Sequence, residues 1–93
     1  MYDRIRNRAR EAIRHRSYIL TLHAEEQMNE DGLSILDIEN CILSGSILER
    51  QKDFNTGEWK YRINGETMGR ENLEVIIKFG ATGKLVIMTV YVL

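Results

Sequence analysis

Six side chains in this 93-residue chain have types and placements suited to chemistry: His23, Lys60, Arg62, Lys78, Thr89 and Tyr91. His23 stands where a short β-prone run, Tyr18 to Leu22, gives way to a helical run. Imidazole both accepts and donates protons near neutral pH more readily than any other side chain. Arg62 can grip phosphate oxygens bidentately, Lys60 and Lys78 add charge, and Thr89 and Tyr91 carry hydroxyl donors. Such a set suits cleavage of an RNA phosphodiester. A base takes the 2′-hydroxyl proton, cations stabilise the phosphorane-like transition state, and an acid protonates the leaving oxygen. His23 would be the base or the acid, and no metal is required. Alternatively, His23 only caps or packs a helix start, and the cations, Thr89 and Tyr91 belong to an ordinary solvated sheet face.

Strand alternation is what would gather these residues. After Gly45 the hydrophobic period becomes two, predicting strands near 46–53, 58–64, 72–79 and 85–92, with turns at Asn55 to Gly57, Gly65 to Arg70 and Gly80 to Gly83. Short connections predict an antiparallel meander. In the second strand Trp59, Tyr61 and Ile63 share one face and Glu58, Lys60 and Arg62 the other. The third gives Leu73, Val75, Ile77 and Phe79 to the core, leaving Glu74, Ile76 and Lys78 opposite. The fourth reads as Val86, Met88, Val90 and Val92 inward and Leu85, Ile87, Thr89 and Tyr91 outward. Lys60, Arg62, Lys78, Thr89 and Tyr91 then share the uncovered face.

Helices precede the strands. Ile5, Ala9, Ala12 and Ile13 fall at helical spacing among arginines over residues 3–16. Residues 18–22 read as a strand, an extended linker or the lead-in to the next helix. A short helix from about His23 stops at Gly32, and Ser34 with Asp37 forms a capping box opening a helix whose Ile35, Ile38 and Ile42 face the core up to Gly45. The expected architecture is α+β, with N-terminal helices packed on one face of a four-stranded antiparallel sheet.

Composition narrows the function classes. The chain fits one domain, and no apolar run approaches the roughly 20 residues of a membrane span. An arginine-rich N-terminus without an apolar stretch leads to the expectation of a cytoplasmic protein. Cys41 is the only cysteine, and with two histidines it offers no zinc-type ligand spacing, so an inert buried thiol and no metal or other cofactor are expected. A net charge of −1 argues against strong generic attraction to nucleic acid, and no DNA binding is expected of the chain alone. The distribution is uneven, however. Residues 1–16 carry six arginines against Asp3 and Glu11, a local net of +4, whereas residues 25–39 carry six acids and no base. Trp59 and Tyr61 could stack on bases, although core packing suits a Trp at an alternating apolar position better.

Four segments carry a family resemblance. Leu20-Thr21-Leu22-His23-Ala24 with Gln27-Met28, then Gly32-Leu33-Ser34 with Asp37-Ile38, then Leu43-x-Gly45-x-Ile47-Leu48-Glu49, and finally Leu85 to Tyr91 with its Thr89-x-Tyr91 ending, resemble the domain of unknown function 4258 family. The resemblance covers residues 18–93 and leaves residues 1–17 as an Arg-rich extension. Members are similar to the RelE, BrnT and MqsR toxins. The resemblance therefore implies a RelE-like fold, a metal-independent mRNA endonuclease of a type II toxin-antitoxin pair acting on free or ribosome-bound RNA, and a cognate antitoxin as partner. It places His23, Arg62, Thr89 and Tyr91 in catalysis, and Lys60 and Lys78, gathered on the same face by alternation, are expected to bind RNA. Asn29-Glu30-Asp31 departs from the family, many of whose members have an Arg there. The other outcome is a non-catalytic protein-binding module of the same fold.

Overall fold

A computed structural model describes residues 1–93. The arginine-flanked apolar stripe winds into α1 (Asp3–Arg14), which buries Ala9 and Ile13. Its end is a left-handed turn at Arg16 (φ 54°). There Arg16 N–H donates to the Ile13 carbonyl at 3.1 Å and Ser17 N–H to the Ala12 carbonyl at 2.8 Å, a Schellman closure without the usual glycine. The chain then extends as β1 (Tyr18–Leu20) and turns into α2 (Leu22–Glu30). Gly32, at φ 66°, ends α2 as expected, with Leu33 N–H donating to the Met28 carbonyl at 2.9 Å. The Ser34–Asp37 capping box opens α3 (Ile35–Ser44), whose Ile38, Cys41 and Ile42 are buried.

The alternating half forms β2 (Ser46–Lys52), β3 (Trp59–Glu66), β4 (Asn72–Phe79) and β5 (Leu85–Val92), an antiparallel meander. The sheet nevertheless has five strands, in the order β1-β5-β4-β3-β2, and β1 runs parallel to β5. The expectation of four antiparallel strands is corrected here. Three residues are too few to display a period, and their partner, Leu85 to Ile87, lies at the far end of the sequence. The intervening α2, α3 and meander form the long crossover that a parallel pair requires.

Beyond Leu20 the β5 edge has no strand partner, and α2 takes over. Thr21 N–H donates to the Ile87 carbonyl at 3.0 Å, the Thr21 hydroxyl donates to the Met88 carbonyl at 3.0 Å, and Val90 N–H donates to Gln27 Oε1 at 2.9 Å. Thr21 also caps α2 by accepting from Ala24 N–H at 3.1 Å. Ala24 is wholly buried, its small side chain letting the helix lie close to the sheet.

Two register shifts set the faces. The β4–β5 ladder slips between Ile76 and Ile77, where Ile76 pairs with Thr89 and Ile77 with Ile87, leaving Met88 as an extra residue. Leu85 and Ile87 therefore point into the core and are fully buried, contrary to the outward placement that unbroken alternation gave them. Past the bulge Val90 is the inward residue, while Met88 leaves the core role expected of it and is only partly buried, and Val86, though buried, pairs with Lys78. Trp59 is also corrected, being 41 % exposed at the start of β3 while Tyr61 and Ile63 are buried.

All three helices feed one core with Ile63, Leu73, Val75, Ile77, Leu85, Ile87 and Val90. Contact between α3 and β3 is close enough to require glycine. A Cβ on Gly65 would lie 2.4 Å from the Cys41 carbonyl oxygen, and one on Gly45 would lie 2.5 Å from that of Asn64. Cys41 donates through Sγ to the Leu73 carbonyl at 3.4 Å, and burial, followed by the Glu74 charge, pushes its thiol up to about 12. Such a thiol is inert at neutral pH, as expected. No helix is long and apolar enough to cross a membrane.

Two substitutions check this account. Gly65→Ala must push α3 off the sheet and should destabilise by roughly 1–3 kcal/mol in urea unfolding; an unchanged midpoint contradicts the close approach. Arg16→Gly removes the left-handed strain and should raise stability by up to about 1 kcal/mol.

Candidate functional site

Adjacent strands place the polar residues of the open face in rows. Arg62 of β3 is in register with Ile76 of β4, and Ile76 with Thr89 of β5. One row away, Asn64, Glu74 and Tyr91 are in register. The Arg62 guanidinium joins the two rows. Its Nη1 donates to both Glu74 carboxylate oxygens, at 3.0 and 2.9 Å, and its Nε donates to Glu49 Oε1 at 3.0 Å. The Tyr91 hydroxyl donates to Glu74 Oε1, and Asn64 Nδ2 donates to Glu74 Oε2 at 3.3 Å. Glu49 reaches Arg62 because of the second register shift, between Ile47 and Glu49, which turns Ile47 inward and Glu49 onto the open face.

This cluster fixes protonation as well as geometry. Burial pushes the Glu74 carboxyl up, but hydrogen bonds from Tyr91 and Arg62, with the Arg62 charge, outweigh it and hold the group below its ordinary value. Tyr91 is raised, chiefly by its bond to the Glu74 carboxylate and then by burial. Arg62 is raised by its bonds to Glu74 and Glu49. At neutral pH the cluster thus holds a carboxylate, a guanidinium and a phenol that can donate. The bonds of Arg62 use Nε and Nη1 and leave Nη2 to solvent, with its side chain about a quarter exposed.

The remaining expected residues are distributed around this cluster. Lys78 lies on the same face, its Nζ donating to Glu58 Oε1 at 3.0 Å, which lowers the Glu58 carboxyl. Lys60 is half-buried, two residues before Arg62 on β3 and opposite Gln51 of β2. Thr89 is half-buried beside the bulge. His23 is exposed in the first turn of α2, two residues after the Thr21 that is bonded to Met88. That anchors it at the β5 edge, next to the strand carrying Thr89 and Tyr91, but no hydrogen bond joins it to the Arg62 cluster. His15 pairs with Glu11 at 3.2 Å on α1. No group of three or more His, Cys, Asp or Glu side chains is disposed to hold a metal ion.

Sequence reasoning missed the carboxylates. Alternation already put Glu74 on the open face, and a carboxylate between an arginine strand and a tyrosine strand signals pairing. Glu49 had no such signal, because its face depends on the bulge.

The buried carboxylate makes Arg62 testable through pH. In the wild type, the folded Glu74 carboxyl titrates below its unfolded value. Its contribution is therefore complete above the unfolded carboxylate range and is lost as pH falls through the folded value. In Arg62→Ala burial outweighs the remaining donors and the carboxyl rises, so the charged form destabilises at neutral pH and protonation relieves it. The stability gap between wild type and Arg62→Ala in urea unfolding should shrink from pH 7 to pH 4.5; a gap that does not change with pH contradicts the assignment.

No curated protein and no solved structure matches the chain. Residues 20–92, from the last residue of β1 to the end of β5, match the family described as Domain of unknown function (DUF4258). The chain belongs to that family.

Proposed function

We propose that this protein is a toxin-like, metal-independent endoribonuclease with a RelE-like fold, acting on mRNA and neutralised by a cognate antitoxin protein. The observation that carries this reading is Arg62, held charged and oriented by Glu49 and Glu74 with Nη2 open, beside a Tyr91 phenol and in register with Thr89. Preorganised donors of this kind act on developing phosphoryl charge without reorganising. Arg62 would hold the scissile phosphate, Thr89 would donate to its oxygens, Tyr91 would do the same on turning its hydroxyl from Glu74 to the substrate, and Lys60 and Lys78 would add charge. His23 would act as base or acid from the α2 edge. In the segment Thr21 to Met28 the structural duties fall elsewhere: Thr21 caps, Ala24 and Met28 pack, and Gln27 bonds β5. His23 is left as a polar, exposed side chain free for chemistry.

A second reading has its own observation. Arg62 and Lys78 each face a carboxylate, so much of the cationic charge on the open face is compensated. That favours a non-catalytic module binding a protein partner through the same face.

Inducible expression in bacterial cells, scored by growth and transcript cleavage, separates the two. The nuclease reading expects growth arrest, with cleavage by the purified protein persisting in chelator. His23→Ala, or Tyr91→Phe with Thr89→Val, should lower cleavage by about 100-fold. Absence of toxicity, or cleavage undiminished by both His23→Ala and Arg62→Ala, overturns it. A tightly bound protein partner with RNA left intact establishes the binding module.

A further inference from the structure

On the opposite side of the sheet, two adjoining clefts run between α1 and the strands. One, of about 460 Å³, is bounded by Arg4, Arg50 and Tyr61; the other, of about 220 Å³, by Arg8, Trp59, Tyr61 and Phe79. They share Ile5 and Tyr61 and so form one groove. Its cations lie on aromatic rings. The Arg8 guanidinium carbon is 3.9 Å from the Phe79 ring centroid, the Arg50 guanidinium carbon is 4.2 Å from that of Trp59, and Lys52 Nζ is 5.8 Å from the same ring. The contrast with the Arg62 face is one of pairing. None of Arg4, Arg8, Arg50 and Lys52 forms an ion pair, and the one acid at the groove, Glu58, is bonded to Lys78. Trp59 is 41 % exposed at an otherwise core-facing strand position.

We infer that this groove binds single-stranded nucleic acid, phosphates lying along Arg4, Arg8, Arg50 and Lys52 and bases stacking on Trp59 and on the guanidinium planes. Uncompensated cations resting on aromatic rings, with Trp59 partly open to solvent, match a chain that is itself alternately anionic and aromatic. An acidic peptide would use the charges and leave the rings idle, and a duplex would hide its base faces. The groove involves neither His23 nor the Arg62 cluster, so binding here is independent of cleavage there.

Trp59 is the only tryptophan, so its emission reports on the groove directly. The full chain is titrated with an oligothymidylate 8-mer, which lacks the 2′-hydroxyl needed for cleavage, and with inorganic polyphosphate and polyglutamate of similar charge. Saturable quenching by the oligonucleotide is expected, together with at least tenfold weaker binding of both other polyanions. Contact with three or four phosphates gives a slope of about −2 to −3 in the logarithm of affinity against that of salt. By anisotropy of a labelled oligonucleotide, Trp59→Leu should weaken binding about tenfold. Arg8→Gln with Arg50→Gln should flatten the salt slope by about 1.4, and circular dichroism should show both variants folded. Unquenched Trp59 emission, equal affinity for polyglutamate, or folded variants that bind as the wild type does each overturn the assignment. Failure to cleave RNA does not bear on it.

Discussion

The closure of the Arg62 cluster depends on two extra residues in the β-ladders, which bring Glu49 and Tyr91 onto the open face. The period of a strand is two, so Leu85 and Ile87 cannot be in the core while Thr89 and Tyr91 face outward unless the phase is broken between them; Met88 breaks it. The same device at Leu48 lets Ile47 pack inward while Glu49 reaches Arg62. Each bulge delivers one partner to the cluster, Tyr91 to Glu74 and Glu49 to Arg62. The Met88 bulge is also tied from outside, since its carbonyl accepts from the Thr21 hydroxyl that caps α2. One threonine thus couples the helix bearing His23 to the strand bearing Thr89 and Tyr91.

What was legible in the sequence follows from how local each signal is. The capping box at Ser34 and Asp37, the stop at Gly32, the α1 stripe and the bounds of β4 and β5 rest on residues within a few positions of one another, and they were readable. The pairing of β1 with β5 joins residues at opposite ends of the chain and leaves no periodic trace in three residues. A bulge is equally silent in composition, since Met88 is an ordinary strand residue. Alternation alone put Thr89 and Tyr91 on the correct face, but only by assigning Leu85 and Ile87 to that face as well. For the site, the residue types that attract attention are cations and hydroxyls, yet their behaviour is governed by Glu74, which is buried and visible only as one member of an alternating strand.

The electrostatics of the two sheet faces differ in kind. On one, the guanidinium of Arg62 is committed to two carboxylates, which fixes its position at the cost of much of its long-range field. On the other, guanidinium groups rest on rings, which orients them while leaving the charge uncancelled. A protein with a net charge of −1 can in this way keep a strongly cationic surface, because its acids are concentrated on α2, α3 and the open face.

The location of β5 bears on how the protein is made. This strand, which follows all the others of the sheet in the sequence, lies inside it, between β1 and β4, and supplies Leu85, Ile87 and Val90 to the core. Until it emerges from the ribosome, β1 has no partner, the edge that α2 caps does not exist, and the apolar faces of β4 and the helices lie open. Folding of the sheet therefore waits for β5 instead of proceeding strand by strand from the N-terminus.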